Sequence, residues 1–513
     1  MAPHRILIFI VAYNAEKTLS AVLDRIPHSD LAPTTEILVI DDSSQDKTFQ
    51  VGVEYKGTKI GVPLTVLRTP VNQGYGGNQK LGYRYAIEKG FDVVALVHGD
   101  GQYPPEMLPA LIRPLLENEA EAVFGSRMLK RGAALRGGMP LYKYVGNKIL
   151  TTLQNTILHT KLSEFHSGYR AYSVAAIKRV PFECNSNDFH FDTDIIIQFV
   201  RQGFRIKEIV IPTYYGDEIC YVNGLKYAWN VLKSTVLSRF QDLGLFYQRK
   251  FDSSKTGSPY ELKIPYTSSH TMAIEAIQSG NKVLDIGCGP GYLANELRVR
   301  KNCHVTGVDR CEADDDVLSR MDHFVSHNLD SGRLPANLGS DYDVVLMLDL
   351  IEHLRFPEKF LDDIRHCFGA TWPKLIITTG NVAFLPIRLS LLMGAFNYGR
   401  RGILDMTHSR LFTFGTLCAL LDQAGFQVKE MQGIPAPFPL ALGNTRWARL
   451  LLLLNKAAIT ISRTAFSYQI YAEATVVPPV TTLLKQIITT SESAVNNIVV
   501  RVNRAPTGSL RNA

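Results

Sequence analysis

Val283-Leu-Asp-Ile-Gly-Cys-Gly-Pro-Gly-Tyr292 is the stretch on which the reading of this chain turns. Lys282–Ile286 reads as a short strand, and Tyr292–Val299 has a helical pattern. Gly287, Gly289 and Gly291 therefore join a strand end to a helix start. Glycines there let backbone approach a bound ligand closely and aim the first helical N–H groups at it. Such a turn alone serves any nucleotide. Two carboxylates narrow the choice. Asp285 lies inside the motif, and Asp309 ends the next strand-like run, His304–Asp309, where a carboxylate can take two ribose hydroxyls.

The same alternation of strand and helix extends in both directions. Downstream, Asp343–Asp349, Lys374–Thr379 and Ser467–Val477 read as strands. Upstream, Ile6–Ala12, Glu36–Asp41, Leu64–Thr69, Val93–His98 and Ala122–Gly125 are short buried runs, with helical patterns at Thr18–Ile26 and Gly77–Lys89. This predicts two α/β domains with largely parallel sheets and ligands at the carboxyl edges of the strands. A chain of 513 residues also exceeds one ordinary core. The expected division is a domain at 1–246, a polar linker at 247–262 containing Gly257 and Pro259, a second domain at 263–478, and a tail at 479–513 with no assigned structure.

The bulk numbers are globular: 46% hydrophobic, 20% charged, net charge +7. The mild positive excess suits anionic small ligands or an anionic membrane surface; no nucleic-acid signature is present, so none is expected as partner. The seven cysteines form no C-x-x-C pair, which predicts a reducing, cytoplasmic setting. The run Ile6–Ala12 reads as a strand rather than a signal peptide. No charge-free apolar stretch reaches the roughly 18 residues that suggest a membrane span.

In the first domain three polar clusters fall at strand ends: Val11–Glu16, Val39–Asp46 and His98-Gly-Asp-Gly-Gln102. Carboxylates there can hold sugar hydroxyls, a base edge, or a cation bridging a diphosphate. With Asn72-Gln-Gly74, Gly125-Ser-Arg127, Ser167-Gly-Tyr-Arg170 and Phe191-Asp-Thr-Asp194, these clusters resemble glycosyltransferase family 2, in its dolichyl-phosphate mannose synthase-like branch. The resemblance covers about residues 5–230. It implies a GT-A fold, a nucleotide-sugar donor, Mg²⁺ or Mn²⁺, and inversion at the anomeric carbon. It also implies that Tyr13, Asp41 and Asp42 contact the nucleoside, that Asp100 and Gln102 ligate the metal, and that Arg127 and Arg170 face phosphates. Asp194, or Asp192, is the candidate general base if the acceptor is a hydroxyl; a phosphate acceptor needs none. His98 stands where the family has the first metal-binding Asp, and is either a ligand or a hydrogen-bonded core residue. Tyr215-Gly-Asp-Glu218 lacks the family's frequent Ser-Lys, which argues against a polyprenyl-phosphate acceptor.

The glycine turn resembles the first motif of class I S-adenosylmethionine-dependent methyltransferases, over about residues 265–478, with a Rossmann-like fold. Asp285, Gly287, Gly289, Gly291, Asp309 and Asn328 would then bind S-adenosylmethionine. Asp349-Leu-Ile-Glu-His353 with His408 is similar to the Mg²⁺ set of ubiquinone-biosynthesis O-methyltransferases and small-RNA ribose methyltransferases. That similarity makes Asp349, Glu352, His353 and His408 candidate metal ligands, and His353 and His408 candidate catalytic residues. The alternative is that Glu352-His353 only caps a helix and orients substrate.

Taken together, the sequence predicts a bifunctional enzyme. It would transfer a sugar from a nucleotide-sugar to a glycan or lipid-linked acceptor, and O-methylate in glycan or glycolipid biosynthesis. Two alternatives stay open: a polyprenyl-phosphate glycosyl synthase with a methyltransferase head, and one inactive head acting as a binding or scaffold module. Three apolar stretches bear on membrane contact. Arg446–Arg463 places Trp447, Leu450, Leu454 and Ile461 on one helical face and cations on another; it reads as domain packing or a lid, with an interfacial helix as the second reading. The stripe Leu225, Trp229, Leu232, Val236, Phe240 and Leu243 reads as core. Phe384–Phe396 reads as a roof over the methyl-acceptor pocket. Peripheral contact with the inner face of a membrane remains open.

Overall fold

The computed structural model describes residues 4–56, 61–213, 223–252, 264–310, 314–331, 334–335, 338–368, 371–443, 445–478 and 484. It divides into two compact units. Unit 1 is Met1–Asp242 with Tyr247–Thr256; unit 2 is Leu243–Phe246 with Gly257–Ala513. Both are α/β domains with mixed sheets, the GT-A and Rossmann-like classes that the two resemblances imply.

Unit 1 holds β1 (Ile6–Ala12), β2 (Thr35–Asp41), β3 (Leu64–Arg68), β4 (Val93–His98), β5 (Ala122–Ser126), β6 (Arg170–Ser173) and β7 (Ile206–Val210), in the order β3-β2-β1-β4-β6-β5-β7. Only β6 runs against its neighbours. Strands such as Ile-Leu-Ile-Phe-Ile-Val-Ala are apolar at every position because helices cover both sheet faces. Ile6, Ile8 and Ile10 enter one core, while Leu7 and Phe9 enter the other. The chain leaves β1 outward on one side through β2 and β3 and returns to β4 on the other. A crevice therefore opens between the carboxyl ends of β1 and β4. Register sets Asp41 beside Ala12 and His98 beside Val11 at that edge.

Unit 2 repeats the principle with β8 (Lys282–Ile286), β9 (His304–Asp309), β10 (His323–Ser326), β11 (Val344–Leu348), β12 (Lys374–Gly380), β13 (Phe426–Ile434) and β14 (Gln469–Val476). Their order is β10-β9-β8-β11-β12-β14-β13. The first five are parallel; β14 runs antiparallel between β12 and β13. The switch point here lies between β8 and β11, and the glycine turn and Asp349 both border it.

Three expectations change. The segment 247–262 was expected as a linker, yet Arg249–Phe251 forms a helical turn whose Phe251 is fully buried in the core of unit 1. Residues 253–262 of that stretch lie outside the described residues, as do Tyr215–Glu218. The stripe on the helix Gly224–Asp242 was expected in the core, but Leu225 and Trp229 are exposed. That helix buries Val231, Ser234, Thr235 and Ser238 instead, because small residues let it approach its neighbours closely. Likewise only Ala448 is buried on the helix Arg446–Ile461. Among the described residues no helix is long and apolar enough to cross a membrane.

Candidate active sites

In unit 1 the loops after β1, β2 and β4 are laced together before any ligand is considered. The Asp42 and Gly99 N–H groups donate to the carbonyls of Ala12 and Val11, both at 2.9 Å. The Asn14 N–H donates to Ser44 Oγ (2.8 Å), and Thr18 Oγ1 donates to the Gly99 carbonyl (2.7 Å). Tyr13 stands exposed at the rim. Asp41 and Asp42, expected on the nucleoside, are buried and already employed. Asp41 accepts from Ser44 and pairs with Arg68 Nε at 3.3 Å. Asp42 Oδ1 accepts from Thr69 Oγ1 (3.0 Å) and the Gln73 N–H (2.8 Å). Both carboxylates thus shape this edge.

Asp100 is exposed on the loop past β4, and its Oδ1 accepts the Gln102 N–H at 3.0 Å. His98 takes the hydrogen-bonded reading. Its Nε2 lies 3.2 Å from Tyr75 Oη, and Tyr75 donates its own proton to Asp192 Oδ2 at 3.0 Å. His98 must then donate to Tyr75. Tyr103 meets the ring edge-on at 4.9 Å, and a Cβ on Gly168 would stand 2.6 Å from it. Burial lowers the imidazole pKa, more than nearby Asp100 and Asp192 raise it.

Arg127 and Arg170 do not face the crevice. Arg127 is buried against Glu164, which it meets through its backbone N–H (2.8 Å) and its guanidinium. Burial pushes the Glu164 carboxyl up, and Arg127 more than offsets this, so its pKa falls. Arg170 is fully buried and spends its donors on the carbonyls of Ser167 (2.7 Å), Asp192 (3.0 Å) and Phe165 (2.8 Å). Asp194 is no more available. It is fully buried, accepting from Lys250 Nζ (2.8 Å) and the Ser186 N–H (3.1 Å). Asp192 is held by Tyr75 and by Gln79 Nε2 (3.1 Å). Tyr75, Glu164 and Lys250 thus carry the site's architecture without having been singled out by motif. A pocket of about 180 Å³ beside Lys250 is lined by His190, Asn230, Lys233, Ser234, Leu237 and Gln248.

In unit 2 the glycine turn has the required geometry. Gly287, Gly289 and Gly291 all have positive φ (80°, 51° and 76°), which side-chain-bearing residues rarely adopt. A Cβ on Gly291 would stand 2.4 Å from Met321. Asp309 turns back over this loop: its Oδ2 accepts the Gly289 N–H at 2.8 Å and its Oδ1 the Arg310 N–H at 2.6 Å. Asp285 is buried beneath, and burial followed by Asp309 pushes its pKa up to about 7. Asn328 lies exposed beyond β10, its Oδ1 accepting the Asp330 N–H at 3.1 Å. The glycine turn, the carboxylate of Asp309 folded over it and exposed Asn328 form a donor set that would fit a sulfonium nucleoside.

Asp349, Glu352, His353 and His408 do not form one cation cradle. Among the described residues no three His, Cys, Asp or Glu side chains could hold a metal together. They separate into two pairs. Asp349 Oδ1 accepts from Thr378 Oγ1 and Gln469 Nε2, each at 2.8 Å. Glu352 is buried with Oε2 lacking a hydrogen bond, and burial, then Asp349, raises its pKa to about 8. With no such trio brought together, these residues do not fit the expected metal. His353 and His408 meet edge to face with ring centroids 4.7 Å apart. His408 Nδ1 lies 3.0 Å from the Ile403 carbonyl, which can only accept, so Nε2 carries its lone pair. Thr407 Oγ1 donates to Asp405 Oδ1 (2.7 Å) and therefore accepts from His353 Nδ1 at 3.1 Å. Both imidazoles hold their proton on Nδ1. Burial, then His353, lowers the His408 pKa.

Residues 7–180 match the model of glycosyl transferase family 2, and residues 265–431 match that of a methyltransferase domain. Undecaprenyl-phosphate mannosyltransferase of Micrococcus luteus is 28% identical over 210 residues, covering 40% of this chain and 82% of the relative. UDP-N-acetylglucosamine–dolichyl-phosphate N-acetylglucosaminyltransferase of Methanococcus voltae is 26% identical over 227 residues, covering 42% and 88%. Among solved structures, glucosyl-3-phosphoglycerate synthase from Mycobacterium tuberculosis with uridine diphosphate aligns at TM-score 0.36 and 20% identity, over 46% of this chain and 80% of that one.

Proposed function

From a chain that carries a family 2 glycosyltransferase domain followed by a methyltransferase domain, we propose a bifunctional transferase that loads a sugar onto a phosphate-ended lipid acceptor of the polyprenyl-phosphate class and O-methylates a related glycan or glycolipid. The observation that carries the choice of acceptor is the state of Asp194 and Asp192. Both are buried and held, by Lys250 and by Tyr75 with Gln79, so neither stands ready to take a proton from a hydroxyl. A phosphate oxygen is already ionised and needs no base. The two relatives above carry polyprenyl or dolichyl phosphate in their names, which supports the same acceptor class. Lys233 on the wall of the pocket beside the Lys250–Asp194 pair suits an anion.

In this reading the nucleotide-sugar lies in the crevice between β1 and β4. Tyr13, Asp41 and Asp42 border the nucleoside. Asp100, which is exposed, and Gln102 would hold a Mg²⁺ or Mn²⁺. Bound there, the cation would supply stabilisation of negative charge on the leaving diphosphate. The acceptor phosphate attacks the anomeric carbon from the opposite face, inverting it. In unit 2, S-adenosylmethionine spans the glycine turn, Asp309 and Asn328. Nε2 of His353 or His408 takes the proton of an acceptor hydroxyl as its oxygen attacks the methyl carbon, and the thioether leaves. Fusion raises the local concentration of a product shared between heads. The protein works in the cytoplasm, peripheral at the inner face of the membrane.

The test is a panel of labelled nucleotide sugars and labelled methyl donor offered with polyprenyl phosphate and with lipid-free glycans, products being read by mass. Sugar on the phosphate-ended lipid, lost in Asp100→Ala, is expected. Transfer only to free hydroxyl acceptors would refute the acceptor assignment, and methyl groups appearing only on unrelated molecules would refute the coupling.

A further inference from the structure

β13 and β14 are antiparallel neighbours whose meeting ends pair Ile434 with Gln469. A tight turn of about two to five residues suffices for such a connection. Here residues 435–468 intervene and fold into the helices Phe438–Leu442, Arg446–Ile461 and Arg463–Phe466. The sheet pairing does not need this insertion: Ala436, Phe438, Leu442 and Tyr468 pack into a satellite cluster of unit 2, and the rest presents surface.

The helix Arg446–Ile461 is mounted by one face, on which Ala448 is buried and Leu451, Leu452, Asn455, Ala458 and Ile459 are half-buried. Asn455 accepts the Ala436 N–H at 2.8 Å and donates to the Phe466 carbonyl at 2.9 Å, while Thr445 caps the first turn through the Ala448 N–H at 3.1 Å. A second set of apolar side chains points outward. Trp447, Leu454 and Ile461, seven residues apart and hence on one line, are 73%, 57% and 83% exposed. Exposed Arg446 and Lys456 accompany them. From Met431 to Ala472 the sequence contains no Asp or Glu. An exposed apolar row would also suit a second protein, but this stretch of chain carries cations and no carboxylate. Trp and Leu with Arg and Lys on a helix anchored from behind match an interface of anionic headgroups over acyl chains.

We propose that the helix Arg446–Ile461 is the docking surface of unit 2 for an anionic lipid bilayer, seated in its plane with the Trp447–Leu454–Ile461 row inserted. The proposal locates the peripheral membrane contact in the reading above and rests on exposure and charge, independent of either transfer activity.

The test is cosedimentation of the full chain with phosphatidylcholine vesicles, with and without phosphatidylglycerol. The parent is expected to bind the anionic vesicles. The triple variant Trp447→Ser, Leu454→Ser, Ile461→Ser is expected to lose binding by about tenfold or more. The pair Arg446→Glu, Lys456→Glu is expected to lose the preference for phosphatidylglycerol. Melting curves matching the parent's identify these as surface effects. Three results would overturn the proposal: equal binding by parent and triple variant, loss confined to a Leu225→Ser, Trp229→Ser variant of unit 1, or a parent dimer that the triple variant splits without vesicles. Failure of the sugar or methyl assays would leave this result untouched, and absence of vesicle binding would leave those activities standing.

Discussion

The two units bury carboxyl groups in opposite ways. In unit 1, Glu164 is matched by Arg127, Asp194 by Lys250, and Asp192 by Tyr75 and Gln79. In unit 2, Asp285 and Glu352 are buried without a cation beside them, and their pKa values rise to about 7 and about 8. In the first site ion pairs and hydrogen bonds hold the buried carboxylates in place, while Asp100 stands exposed. The second keeps two buried carboxyl groups whose pKa values burial raises. Pairing fixes geometry, whereas an unpaired buried carboxyl is costly and responds to whatever approaches it.

That contrast is tested most severely at Asp100. Asp100→Ala should lower sugar transfer about a thousandfold while leaving the melting of unit 1 unchanged, because the residue acts only on ligand. A small loss would mean that the metal is held elsewhere. Next in size is Lys250→Met, which strands Asp194 in the interior at a cost of about 3–5 kcal/mol. Calorimetry should show the unit 1 transition falling by about 10 °C. If it stays in place, Asp194 is not locked and returns as a candidate base. In unit 2, Gly289→Arg fills the cradle and should weaken S-adenosylmethionine at least about a hundredfold by titration calorimetry, a loss of roughly 3 kcal/mol. Sugar transfer should be unaffected.

The smallest effect concerns pH. The folded pKa of Glu352 lies above its unfolded value of about 4.3, so its contribution to stability is whole below that value and is lost as pH rises through about 8. Glu352→Gln should therefore raise the unit 2 transition by about 3 °C at pH 9 and hardly at pH 4. Glu164 has the opposite sign: its pKa is depressed, so its contribution is present above the unfolded value and lost as pH falls. Alkali should loosen unit 2 first and acid unit 1 first; the same order in both limbs would break the comparison.

Much of the fold was legible because its central strands are unbroken apolar runs and its ligand loops follow them directly. Ile6–Ala12, Val93–His98, Lys282–Ile286 and His304–Asp309 begin and end where the sequence placed them. The short strands Arg170–Ser173 and Ile206–Val210 escaped, having too few residues for a period to emerge. The turn of Asp309 over the glycine loop was legible since its position at a strand end dictates its direction. Arg127 and Arg170 misled because a guanidinium fork serves a phosphate and a buried carboxylate equally well. Which one it meets depends on Glu164 and Asp192, distant in sequence. The orientation of Arg446–Ile461 was hidden for a similar reason: a helix with two apolar sides does not say which of them faces in, and Asn455 decides it.

The position of β14 has a further consequence. It is made after every other described strand of its sheet, yet it lies between β12 and β13. Until the ribosome has delivered it, β12 has an open edge and β13 has no strand beside it, so unpaired N–H and C=O groups invite pairing with other nascent chains. Unit 1 has all seven of its strands by Val210 and can fold early during synthesis. Unit 2 closes only when nearly the whole described chain exists. A stop codon or cleavage before Gln469 would leave a folded first unit bound to a second that cannot complete its sheet, and such fragments should aggregate through β12 and β13.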